Sequence, residues 1–190
     1  NATIVQSGTG LLKFTSNFSA TANGAKTLVL DGSTAGIGEI SKAIVNSTSP
    51  TALTKLGTGT WILSGNNTYS GATTITAGTL QLGAAFTAPS AFVLNGGTLS
   101  SGSGIGYDIT TSGTLALTDN STIALGTGSH TLTFGASNTT NWTAGKKLTI
   151  TGWQGAYNGT SALPAGPKIF VSALATGLTS NQLNQVVFLN

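Results

Sequence analysis

The 190-residue chain contains no cysteine, no methionine and no arginine, one histidine and four carboxylates. Each shortage excludes something. Without cysteine there is no disulfide framework and no thiolate metal site. Without sulfur the chain offers little to oxidise, which suits extracellular exposure. Charged residues make up 6% of the sequence, against roughly 25% in ordinary globular domains. A net charge of +3 rests on seven lysines, of which only Lys146 and Lys147 adjoin. That is no basic footprint for nucleic acid. No apolar run reaches the ~20 residues of a membrane-spanning helix, so membrane insertion by this segment is not expected.

What is present is 34 Thr, 27 Gly, 20 Ser and 14 Asn, with 39% hydrophobic residues. Hydrophobic content at that level sets the chain apart from disordered polar tracts. Thr favours strands, and Gly and Asn favour turns. Short alternating runs recur throughout, among them GLLKFTS (10–16), KTLVLDG (26–32), GTWILSG (59–65), GTLQLG (78–83), AFVLNGG (91–97), GTLALTD (113–119), HTLTFGA (130–136), KLTITGW (147–153) and VVFLN (186–190). A period of two puts Leu80 and Leu82, Leu115 and Leu117, Ile123 and Leu125, Leu132 and Phe134, and Leu148 and Ile150 on buried faces. Similar short units at even spacing indicate a repeat architecture. Few links between them carry the two-residue turns of a hairpin meander. The expected fold is therefore all-β, a parallel β-solenoid of short strands. One stretch departs from this: LTSNQLNQ (178–185) predicts a short helix, with Thr179 and Gln182 spaced as a capping box.

TKLGTGTWILSGNNTYSGATTITAGTLQLG strongly resembles the autotransporter-associated β-strand repeat, also called the passenger-associated transport repeat. The resemblance rests on GTGTWILSG, NTYSG and AGTLQLG, and covers residues 53–83. Looser similarity extends to GSTAGIGEISKAIVNSTSPTALTK (32–55), NSTIALGTGSHTLTFGAS (120–137), WTAGKKLTITGW (142–153) and the closing KIFVSALATGLTSNQLNQVVF. It implies a right-handed β-helix, secreted or held on a bacterial surface, with no catalytic residues to carry over. The expected organisation is one solenoid domain over 1–190. N-terminal coils span 1–83, middle coils 84–143, and C-terminal coils with a cap-like segment 144–190. The chain opens at Asn1, not Met, and so reads as a processed or excised product.

Sites for chemistry are scarce. Asp31, Glu39, Asp108 and Asp119 are far apart in sequence, so an acid–base pair of polysaccharide-degrading type is a remote reading, with Asp108 and Asp119 its nearest candidates. His130 alone supports no triad or metal set and is expected on the surface at a strand end. GSGIG (102–106) lacks the lysine and helix of a phosphate loop and reads as solenoid corners. No catalytic, cofactor or metal site is expected. GWQGAYNG (152–159) offers Trp153, Gln154, Tyr157 and Asn158 as a glycan contact, because ring faces stack on sugars and amides take hydroxyls; against this stands the reading that the aromatics cover the end of the core. Eight Asn-x-Ser/Thr sequons occur, at Asn1, Asn17, Asn46, Asn66, Asn120, Asn138, Asn141 and Asn158.

Both termini read as strands without blocking charges or proline. Ile4, Val5, Leu11 and Leu12 at one end, and Val186, Val187, Phe188 and Leu189 at the other, are the candidate assembly strands. The expected partners are copies of the chain joined head to tail, with glycans or surface matrix as the alternative for an adhesive passenger. The expected function is a non-catalytic extracellular structural module.

Overall fold

The computed structural model describes residues 1–21, 23–33, 36–84, 90–102, 108–154, 166–172 and 176–189. The chain winds as successive coils. β1 (Ala2–Val5) and β2 (Leu12–Phe14) make the first. β3 (Lys26–Asp31) with β4 (Ile37–Ile40), β5 (Thr51–Lys55) with β6 (Thr60–Leu63), and β7 (Thr73–Ile75) with β8 (Thr79–Leu82) make the next three. A third side then gains strands of its own. β9 (Phe92–Asn95), β10 (Thr98–Ser100) and β11 (Ile109–Thr110) precede β12 (Leu115–Asp119), β13 (Ser121–Ala124) and β14 (Thr131–Phe134). β15 (Leu148–Thr151), β16 (Lys168–Val171), α1 (Ser180–Leu183) and β17 (Val186–Leu189) end the chain.

Equivalent strands stack into three sheets. The first runs β1-β3-β5-β7-β9-β12, the second β2-β4-β6-β8-β10-β13-β15-β17, and the third β11-β14-β16. Among the described residues every strand pairing is parallel, for example β6 with β8 and β8 with β10. This is the expected parallel β-solenoid. The expected alternation holds in detail, since Leu80, Leu82, Leu115, Leu117, Ile123, Leu125, Leu132, Phe134, Leu148 and Ile150 are all buried.

Register lays each inward residue over its equivalent one coil away. Trp61, Leu80, Leu99, Ile123, Ile150 and Phe188 form one such stack in the second sheet. The indole of Trp61 fills the space over Gly38, its register partner. A Cβ at Gly38 would lie 2.4 Å from the ring. Trp61 Nε1 donates to the Asp31 carbonyl at 2.9 Å, tying its coil to the one before. At the corner between β7 and β8, Gly78 holds φ +60, and a Cβ there would stand 2.4 Å from the Gly59 carbonyl. Close stacking and a left-handed turn both require glycine there.

The repeat's NNTYSG segment turns the corner with buried polar groups. Asn67 is fully buried. Its Oδ1 accepts from the Ile44 N–H (2.9 Å) and its Nδ2 donates to the Gly65 carbonyl (2.7 Å). Tyr69 is equally buried, with its hydroxyl 2.7 Å from Thr73 Oγ1, itself 2.9 Å from Ser90 Oγ. Burial raises the Tyr69 phenol well above its ordinary value. The expected helix is present as α1 with its capping box: the Thr179 hydroxyl accepts from the Gln182 N–H, and Gln182 Oε1 accepts from the Thr179 N–H at 2.7 Å.

Gly38→Ala forces the new methyl into the Trp61 ring. A loss of about 1–3 kcal/mol is expected from such overpacking, read from urea unfolding monitored by tryptophan fluorescence. An unchanged midpoint would show that the indole moves aside freely.

Candidate functional site

The four carboxylates are each engaged locally. Asp31 Oδ1 accepts from the Gly32 N–H at 2.7 Å. Glu39 pairs with Lys13 at 2.9 Å on the outer face of the second sheet. Asp108 Oδ1 accepts from the Thr131 N–H at 2.8 Å, and hydrogen bonding to the Thr131 side chain, then to its backbone, holds the carboxyl below the ordinary value. Asp119 pairs with Lys146 at 2.6 Å and is held low chiefly by that bond. Among the described residues no group of three or more His, Asp or Glu could hold a metal.

His130 is not the surface residue expected. It is 3% exposed, with Nε2 2.8 Å from Ser101 Oγ. Stacking of successive coils buries it by laying Ser101 against the imidazole. Burial pushes its pKa below the ordinary value and keeps the ring neutral. A Ser–His contact is half of a nucleophilic relay, but the relay is not completed. Ser101 is fully buried, its Oγ also accepts from the Gly126 N–H (3.1 Å), and the Asp108 carboxylate is turned to the Thr131 backbone. Among the described residues the hydroxyl is buried, and the pair links one coil to the next.

Lys55 was not singled out by sequence, yet it lies in the core stack. Its register partners are Leu30 and Ile75, and it is fully buried. Nζ donates to the carbonyls of Leu56, Gly57 (2.8 Å) and Ala77 (3.2 Å), closing the corner that follows β5. Burial pushes its pKa down to about 8, with the Asp31 carboxylate pulling the other way.

Of the glycan-contact residues, Trp153 is half-buried against Phe188, with ring centroids 5.4 Å apart, and Gln154 is exposed. Tyr157 and Asn158 lie outside the described residues, as does most of 102–106. Trp153 thus packs against the core at the chain's end, leaving less ring to offer a sugar.

The most distinctive surfaces are the ends of the solenoid. At the N-terminal end β1 and β2 each pair on one side only. Val5 and Leu11 are exposed at 54% and 60%, while Ile4 and Leu12 pack against the core. A hollow of about 280 Å³ opens here between Ala2, Phe18, Leu28 and Ile44. At the C-terminal end β17 is the outermost strand of the second sheet. Val186 and Phe188 face inward against the core, and Leu189 is 53% exposed. A second hollow of about 290 Å³ lies among Trp142, Ile150, Ile169, Val186 and Phe188. The first sheet ends differently. Beyond β12 the Thr143 N–H donates to the Leu117 carbonyl, and α1 seats on that segment through Gln182 Nε2, which donates to the Ser137 and Thr140 carbonyls at 2.9 Å each.

The coils built from β5 to β8 contain a known repeat. Residues 53–82 match the passenger-associated-transport-repeat family. Over 84 residues the chain is 38% identical to the adhesin BmaC autotransporter of Brucella suis biovar 1 (strain 1330), a stretch covering 42% of this chain and 2% of that protein. The chain therefore corresponds to a small part of the curated relative it matches. No solved structure matches. The chain thus carries an autotransporter-associated repeat at 53–82 and is similar over 84 residues to part of an autotransporter, which indicates a secreted, cell-surface protein.

Lys55→Met leaves three corner carbonyls without their donor, at an expected cost of about 1–3 kcal/mol near neutral pH. Titration gives a second readout. The folded pKa is about 8, below the unfolded value of roughly 10.4. Between the two the unfolded chain binds more protons, so this group makes stability rise with pH across that window. Urea midpoints at about pH 7.5 and 9.5 should show the rise in the parent chain and its loss in Lys55→Met. Equal midpoints in the parent would place the ammonium in a better-solvated setting.

Proposed function

We propose that the chain is a non-catalytic structural section of a bacterial surface passenger, extended end to end through the strand edges of its second sheet. One observation carries this: among the described residues the outermost strands of the eight-stranded sheet, β2 and β17, are each unpaired on one side. β17 laid against β2 of another copy would continue the sheet in the parallel sense used at every existing rung. That contact is heterologous, so its repetition yields a filament. At the C-terminal end α1 occupies the position where the first sheet would continue, so the second sheet supplies the strand pairing. The same edges suit a flanking coil of a longer chain, which would make this segment one stretch of a stalk.

A non-enzymatic role is supported by the separate pinning of the four acids and the closure of the Ser101–His130 pair. The relative's name as an adhesin favours a second reading, in which the passenger itself binds a target. Here the glycan contact at Trp153 and Gln154 is the weaker support, because Trp153 spends much of its ring on Phe188.

Sedimentation velocity over a concentration series, with electron microscopy of the native chain, tests the assembly. The parent chain is expected to associate head to tail. Leu11→Lys and Leu189→Lys place charge on exposed edge positions without touching the core, and together should leave monomers. A parent that stays monomeric throughout, or lysine variants that associate equally well, would overturn the proposal.

A further inference from the structure

The outer face of the second sheet has a feature that neither strand edges nor a spacer role uses. β6, β8, β10, β13 and β15 each place a threonine in one column. Thr60 pairs with Thr79, Thr79 with Thr98, Thr98 with Thr122, and Thr122 with Thr149. All five are half-exposed. Among the described residues none of the five hydroxyls makes a hydrogen bond, so each is left to solvent. Two residues along the strands runs a second column of Ile62, Gln81, Ser100, Ala124 and Thr151. Across these five rungs neither column carries a charge or an aromatic ring. The face's ion pair, Lys13–Glu39, lies outside them on β2 and β4.

Strand propensity alone would put threonines on both large sheets. The outward column of the first sheet instead reads Val29, Thr54, Thr74, Val93, Ala116. The unbroken rank belongs to the second sheet. Its geometry is fixed by the backbone, at about 4.8 Å between rungs and about 6.6 Å between columns.

Area and chemistry select the occupant. Five rungs by two columns cover roughly 320 Å², well under the ~800 Å² per partner of a stable protein interface. A second copy would gain too little there. Sugar polymers are gripped by ring faces with directed polar groups, and this face has no ring. Ordered water fits what is present. Free hydroxyls can enter a water lattice as donors and acceptors, the adjoining methyls favour ordered water beside them, and no charge imposes a competing hydration shell. The rung spacing is also close to the repeat of oxygens along one axis of hexagonal ice. We propose that the Thr60–Thr149 ladder is an ice-binding face, which would let a surface solenoid hold to ice crystals. This contact is independent of the strand edges at the ends.

The test is incorporation into slowly growing ice by the full chain, against a non-binding protein of similar size. The parent chain is expected to be enriched in the ice fraction. Thr98→Lys with Thr122→Lys should abolish the enrichment, while Thr54→Lys with Thr74→Lys on the first sheet should retain it. Circular dichroism and melting temperature check the fold, and the single variant Thr98→Lys gives the same readout if the pair melts early. Exclusion of the parent from ice would overturn the proposal. So would retention by the Thr98/Thr122 variant, or capture by microcrystalline cellulose or chitin without incorporation into ice.

Discussion

Everything in this molecule depends on the parallel backbone ladder between one coil and the next. Because the ladder fixes register, each side chain must suit the residue one coil away more than its neighbours in sequence. Trp61 is possible because Gly38 lies beneath it, and Phe14 stacks near the same indole with centroids 6.4 Å apart. The ladder is indifferent to how far the chain travels between rungs. Leu80 pairs with Leu99, while Ile150 must wait for Phe188, since the C-terminal coil carries β16 and α1 between its rungs. Length varies at the corners, and the inward stack does not register it.

The same constraint explains the shortage of charge. Tight corners bury backbone groups that regular pairing does not reach, and each needs a partner. Neutral amides serve at a low desolvation cost. Asn46 Oδ1 accepts from both the Thr51 and Ser70 N–H groups, and Gln185 Nε2 donates to the Thr143 and Lys146 carbonyls. Lys55 does the same work with an ammonium, which supplies more donors to a single corner but must be desolvated to do so. That its neighbours in the stack are aliphatic shows how far three carbonyl bonds can offset such a cost.

Much of this was legible in sequence because solenoid strands obey a period of two and the helix obeys a local capping rule. Leu115 with Leu117, and Thr179 with Gln182, needed no knowledge of distant residues. β4 was hidden because its inward residues are Gly38 and Ile40, and the glycine makes sense only under Trp61. The place of Lys55 was written in the alternation Thr51, Leu53, Lys55, yet a lysine at an inward position reads as the end of a strand unless the corner carbonyls are known. His130 meets Ser101 across 29 residues, and no local pattern carries that distance. The threonine ladder is the intermediate case. Its residues are plain in sequence, but only the register aligns them on one face.

The two ends of the solenoid differ in a way that gives it direction. At the N-terminal end both large sheets present an unpaired strand, so an incoming coil could pair on either. At the C-terminal end the second sheet offers β17, while α1 is fastened over the first by Gln182. A strand accepts an addition only where its N–H and C=O groups remain free, so two C-terminal ends cannot join across both sheets. Each end is also hollow, and two hollows meeting face to face would leave unfilled space, a loss of contacts for the residues lining it. Projecting groups are needed to fill it, and the exposed leucines stand where they could: Leu11 beside β2, Leu189 at the tip of β17, and Leu183 on α1. In the assembly proposed above, these ends suit a head-to-tail junction built on one sheet, with leucines fitted into the hollows, better than a symmetric pairing of identical ends.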